Sequence, residues 1–184
     1  MAFLLTLTGS ASAPGSSRTA HLVAHLGRRF TEDGHEVHHV DVRSLPAEAL
    51  LSADATDPGV ARAVALVARA DALIVASPVY KAAYSGVLKA FLDLLPQYAL
   101  RGKAVLPLAT GGSPAHVLAV DYALRPVLTS LGAEVAHGWF VLDRHITVDA
   151  DRAIALTPEA DDALTPVVDR FRAALPGRSR LAAA

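Results

Sequence analysis

Five times along the 184-residue chain, a short apolar run gives way to apolar positions at helical spacing. The runs are Ala2–Thr8, Glu36–Val42, Ala72–Ala76, Lys103–Ala109 and Ala133–Leu142, the last interrupted by Gly138. Continuous, partly β-branched runs of this length predict strands buried on both faces. After the first run, Leu22, Val23, Leu26 and Phe30 mark one helical face, and Gly34 supplies its C-terminal stop. After the second, Asp57-Pro58 opens a helix carrying Val60, Val64, Leu66 and Val67, and Ala47–Leu51 is a short helical turn before it. After the third come Val87, Leu88, Phe91, Leu92 and Leu95; Pro78 is expected to end that strand, leaving Val79–Tyr84 as an exposed loop. A helix from Pro114 to Leu131, closed by Gly132, follows the fourth run, and Pro158–Leu175 forms the last. Asp143–Ala155 reads as a polar connection.

Strict alternation of this kind predicts a parallel sheet with helices on both faces. The expected fold is α/β, a flavodoxin-like three-layer sandwich whose five-stranded parallel sheet has the order 2-1-3-4-5. That order brings together the carboxyl ends of strands one, three and four, where open parallel sheets bind ligands. Residues 1–176 are read as a single domain and 177–184 as a disordered tail.

Composition narrows the chemistry. The chain is 52% hydrophobic, 19% charged and has a formal net charge of -1, which argues against disorder and against a field that would draw it to nucleic acid or an anionic membrane. It has no cysteine, so disulfides, thiolate catalysis and Cys-ligated metals are excluded. The start, MAFLLTLTGS, lacks a positive n-region, and no apolar run reaches membrane-span length, so a cytoplasmic location is expected.

Three loops at the predicted carboxyl ends carry candidate chemistry. Gly9–Thr19 (GSASAPGSSRT) gathers Ser10, Ser16, Ser17, Arg18 and Thr19 between strand and helix. Hydroxyls, backbone N–H groups and a helix N-terminus together favour a monophosphate. The same residues also suit an ordinary capping loop, with Ser16, Ser17 or Thr19 as cap. Pro78, Val79, Tyr80 and Lys81 present apolar and polar edges to a planar ring. Thr110, Gly111, Gly112 and Ser113 allow close backbone approach to a ligand. A phosphate on the first loop and a ring between the other two imply FMN. His21 and His25, at i, i+4 on the first helix, are read as a solvated face, and no metal site is expected. His38 and His39 point to opposite faces of the second strand, near a sheet edge.

The segments SPVYKAAYSGVLKAFLDLLP, LRGKAVLPLATGGS and HVLAVDYALRPVL resemble the NADPH-dependent FMN reductases that serve two-component alkanesulfonate monooxygenases. The likeness covers about three quarters of the chain and includes the loop GSASAPGSSRT. It implies a flavodoxin-like fold, a homodimer or homotetramer, and hydride transfer from NADPH to FMN. It further implies that reduced FMN leaves for a monooxygenase. It also implies that Tyr122, within VDYAL, is the inserted tyrosine that forces a π-bulge at a subunit interface and governs flavin release. Because the flavin supplies the electronics, no general acid or base is assigned. Lys81 is the one side chain placed to assist, with a solvated surface lysine as the equal alternative. Two other readings stay open: an FMN-containing quinone or azo-dye reductase, and a flavodoxin-like electron carrier. The near-neutral charge and the paucity of aromatics near the ring weigh against the carrier.

Overall fold

The computed structural model describes residues 1–13, 15–148 and 154–175; the tail expected at 177–184 lies outside them. The core elements are β1 (Phe3–Thr8), α1 (Arg18–Glu32), β2 (Glu36–Asp41), α2 (Ala47–Leu51), α3 (Pro58–Arg69), β3 (Ala72–Tyr80), β4 (Ala83–Tyr84), α4 (Gly86–Leu92) and β5 (Ala104–Gly111). A π turn (Val120–Leu124), α5 (Arg125–Ser130), β6 (Glu134–Val135), β7 (Trp139–Leu142), β8 (Ile146–Val148), β9 (Ile154–Leu156) and α6 (Pro158–Ala173) complete the chain. The main sheet runs β2-β1-β3-β5-β6, with β7 continuing β6 along the same side of β5. With the small strand β4 set aside, this is the expected 2-1-3-4-5 order, all parallel.

Alternation along each strand builds the three layers. Leu5, Leu7, Leu73, Val75 and Val105 face α3, α4 and α5, where Val60, Val67, Leu88, Phe91 and Leu128 receive them. Leu4, Ile74, Leu106 and Leu108 face α1 and α6, against Leu22, Leu26, Phe30, Leu164, Val168 and Phe171. Both faces of β3 are therefore dry, as its continuous apolar run requires.

The structure differs from the sequence reading at Pro78. Pro78 does not end β3. The Ala76 carbonyl accepts from Gly9 N on the β1 side, so Pro78, two residues on, also addresses that side. There β1 has already ended, so the missing N–H forfeits no ladder bond. The strand continues to Tyr80 and turns back as β4, pairing Val79 with Tyr84 and Tyr80 with Ala83. Both turn residues have positive φ, Lys81 at 51° and Ala82 at 63°, the backbone of a tight hairpin built without glycine. Pro107, inside β5, is tolerated for the same reason. Its carbonyl faces Gly138, in the break between β6 and β7, where its absent N–H could not have served a neighbouring strand. A Cβ on Gly138 would stand 2.8 Å from the Pro107 oxygen and 2.4 Å from Val120 Cγ1, so only glycine lets the chain pass there.

The segment read as a polar connection is also structured. A short turn at Asp143–His145 leads to β8, which pairs antiparallel with β9. This hairpin lies on α1, and it corrects the solvated reading of His21 and His25. Both imidazoles are half-buried, and His21 Nδ1 and His25 Nε2 are shielded with no partner among the described residues. Arg28 donates to the Ile154 carbonyl and Arg18 to that of Ile146, which fastens the hairpin to the helix. His38 stacks on Phe3 while the His39 ring meets the Thr6 hydroxyl on the other face, so the two point apart as expected.

Candidate active site

Three loops converge at the carboxyl ends of β1, β3 and β5. The first leaves β1 at Gly9, which must be glycine because a Cβ would lie 2.3 Å from Leu88 Cβ at the start of α4. Ser85, the N-cap of α4, donates its hydroxyl to the Gly9 carbonyl and accepts from Leu88 N. Ser10 is buried, and its hydroxyl accepts from Ser12 N at 3.2 Å. Ser16 is exposed and donates to the Ala13 carbonyl. Ser17 is the cap of α1: it is buried and accepts from Ala20 N at 3.1 Å. The first turn of α1 holds no acidic residue, so its positive end is left for an external anion.

Thr19 points from that turn into the core. Its hydroxyl lies 2.7 Å from that of Thr110, and both residues are only 1% exposed. This bond ties the loop after β1 to the end of β5. Thr110 and Gly111 complete β5, which runs two residues past the expected Ala109. A Cβ on Gly111 would press on Phe140 at 3.1 Å, whereas Gly112 is exposed and open. Ser113 accepts from Ala115 N and starts a short 3-10 turn. Pro78 and Val79 are half-buried beside Thr110, the register partner of Pro78. Tyr80 and Lys81 project outward at the hairpin. The three predicted loops are therefore brought together, with Ser16 and Lys81 on the outside.

Arg18 is placed differently from the reading. Its Nη1 donates to the Ile146 carbonyl at 2.7 Å, so the guanidinium turns toward β8. That position sets it in the field of Asp143, a residue sequence reasoning missed. Asp143 begins the turn after β7, one residue past Leu142, which is in register with Gly111. It is half-buried, and its Oδ2 lies 4.0 Å from where a Gly112 Cβ would stand. Burial pushes its carboxyl above the usual range, while Arg18 and the Thr110 hydroxyl favour the ionised form. Only the strand register, which sequence leaves open, places this carboxylate against the glycine loop.

Tyr122 is 78% exposed within a true π turn, where Arg125 N donates to the Val120 carbonyl five residues back. Leu118, four residues earlier and also exposed, accepts from Tyr122 N through its carbonyl at 2.9 Å. Arg125 holds this turn to Asp121 and to the carbonyls of Val135 and Ala136. Of two cavities, one lies apart from the three loops and one borders the third loop at Pro114. One of about 520 Å³, reached by Ser44, Asp57 and Arg62, sits beside β2 and α3 at the sheet edge. It is the larger, yet Asp57 already caps α3 there, so it offers no free helix end to an anion. The other, about 190 Å³ between Trp139, Phe140, His145 and Ala160, adjoins β7. No group of three or more metal-ligating side chains occurs among the described residues.

The buried hydroxyls, a helix end without an acidic residue and the exposed Gly112 give these loops the chemistry of an anion site beside a backbone hydrogen-bonding edge. Residues 4–147 match the family model for NADPH-dependent FMN reductase. The chain is 44% identical over 173 residues to an FMN reductase (NADPH) of Escherichia coli (strain K12), covering 94% of this chain and 89% of that protein. An apo NADH:FMN oxidoreductase structure superposes with a TM-score of 0.84 at 39% identity, over 97% of this chain and 92% of the other. Oxidised flavodoxin 1 of Bacillus cereus, at 17% identity and a TM-score of 0.59 over 94% of this chain and 96% of that one, shares the fold. The chain belongs to the NADPH-dependent FMN reductase family, the flavodoxin-like oxidoreductases that use FMN and NADPH.

Proposed function

We propose that FMN binds across the carboxyl ends of β1, β3 and β5 and is reduced there by NADPH. The observation that carries this placement is the buried Thr19–Thr110 bond, which fixes an anion-friendly helix end and a glycine loop to each other. Ser10, Ser16, Ser17 and Thr19, with the amides around them, receive the phosphate. Arg18, with N–H donors beyond the one held by Ile146, stands at the rim. Pro78, Val79 and Tyr80 flank the ring, Lys81 lies at its outer edge, and Thr110–Ser113 meet the pyrimidine edge with backbone N–H groups. Bound FMN supplies the hydride-accepting chemistry; the chain's part is to hold two rings at reacting distance and to keep donors aimed where negative charge develops. The name carried by the Escherichia coli relative favours NADPH over NADH.

Reduced FMN then passes to a partner monooxygenase of the alkanesulfonate type, and the cell compartment is the cytoplasm. Supporting the partner is the likeness of the central motifs to reductases of such systems. Supporting assembly as a homodimer or homotetramer are the exposed Tyr122 on the π turn and the exposed Leu118 just before it, a surface a second copy would cover. Steady-state kinetics test the leaving-substrate reading. Sequential patterns with a nearly colourless protein are expected, whereas ping-pong patterns with a yellow protein would make FMN resident and refute delivery. Sedimentation of the parent and of Tyr122→Ala tests the interface, with a smaller species expected for the variant.

A further inference from the structure

We propose that Asp143 is the residue that keeps reduced FMN from staying bound. The inference rests on the FMN placement given above. In that placement the pyrimidine edge lies on the backbone of Thr110–Gly112, and the Asp143 carboxylate lies against Gly112 from the neighbouring strand end. Hydride transfer breaks the C4–H bond of the nicotinamide and delivers the hydride to the flavin, giving NADP⁺ and a reduced flavin that carries its negative charge at the pyrimidine edge. Oxidised FMN has no charge there. A fixed carboxylate beside that edge therefore repels the product and is indifferent to the substrate, so it lowers affinity only after the reaction.

The groups facing Asp143 are few. Arg18 from α1 is its charged neighbour, and its other neighbours are Thr110 near the end of β5 and Gly112 just past it. On its own turn, Arg144 is exposed, and His145 Nδ1 is engaged with the Thr157 hydroxyl at 2.8 Å. Arg18 offsets part of the repulsion but is itself held away by the Ile146 carbonyl. The arrangement thus balances one cation against one anion at the place where a second anion appears.

The test compares the dissociation constants of oxidised FMN and of chemically reduced FMN, the latter under anaerobic conditions, for the full chain. Asp143→Asn is expected to tighten reduced relative to oxidised FMN about tenfold, the scale of one partly screened charge. The potential of bound FMN then rises by about 30 mV, the value of a tenfold ratio for a two-electron couple. Asp143→Glu, which keeps the charge, is expected to stay within about twofold of the parent. An unchanged ratio in Asp143→Asn overturns the inference. Should that variant fail to fold, Arg18→Gln is the second test: removing the cation is expected to loosen reduced relative to oxidised FMN about threefold, and no shift overturns the inference equally. A parent that binds neither form refutes the FMN placement itself, and the inference with it, an outcome distinct from an unchanged ratio.

Discussion

Replacing Thr110 with valine removes one hydroxyl from the bond that joins two of the three site loops. Valine keeps the shape of the side chain, so packing is nearly unchanged and the loss is polar. The Thr19 hydroxyl would be left 1% exposed with no described partner. An unsatisfied buried hydroxyl costs about 1–3 kcal/mol. For a chain of this size that is a fall in melting midpoint of about 2–4 °C per kcal/mol. Thr19→Val alone is expected to cost less, because the Thr110 hydroxyl keeps the Asp143 carboxylate as a partner. The double variant removes both partners, and its cost should fall below the sum of the singles by about 1 kcal/mol or more. Urea unfolding of the apo protein at fixed concentration measures all four corners of the cycle. Additive losses, or a Thr110→Val cost within about 0.5 kcal/mol of zero, would refute the view that this bond organises the site.

Three other substitutions test particular parts of the account. Gly138→Ala should destabilise by about 3 kcal/mol, because its Cβ meets the Pro107 backbone oxygen, which cannot swing away; a midpoint unchanged in urea would contradict this. Ala82→Gly should stabilise by about 0.5–1 kcal/mol by relieving a positive φ in the β3–β4 hairpin, again read from urea midpoints. Burial holds the His25 pKa below its usual value, with Arg29 and Arg28 adding to this and the Ile154 backbone and Asp161 opposing it. Its contribution is then full above the unfolded pKa of about 6.5 and is lost as pH falls through the folded value. Thermal stability should therefore drop on acidification below about pH 6.5, and His25→Leu should shallow that slope. His21, His35 and His39, lowered in the same direction, keep some of it.

Much of this molecule was legible in the sequence because its signals are local. Continuous apolar runs located the central strands, and Gly34 and Asp57 marked helix ends by capping chemistry that acts within a few residues, while the choice of Ser17 over Ser16 and Thr19 as cap came from the structure. The three site loops followed from strand order, and the π turn at Tyr122 followed from a motif. What stayed hidden depends on neighbours. Whether Pro78 ends a strand is decided by where β1 stops, not by the proline. The β8–β9 hairpin reads as polar connection because it is short and packs on α1 by one face, and missing it made His21 and His25 look solvated. Asp143 is one acidic residue among several in a loop-like stretch, and only the pairing of Gly111 with Leu142 sets it beside Gly112. Arg18 reads as a phosphate ligand until the Ile146 carbonyl is seen to hold it.

Reduction of FMN supplied from solution at the carboxyl ends of β1, β3 and β5 is tested by NADPH oxidation, followed by nicotinamide absorbance, on protein stripped of small molecules, with and without added FMN. Oxidation is expected to depend strongly on free FMN and to weaken when the Thr19–Thr110 bond is cut. Oxidation that needs no added FMN but requires a quinone or azo dye, or no oxidation under either condition, would contradict it.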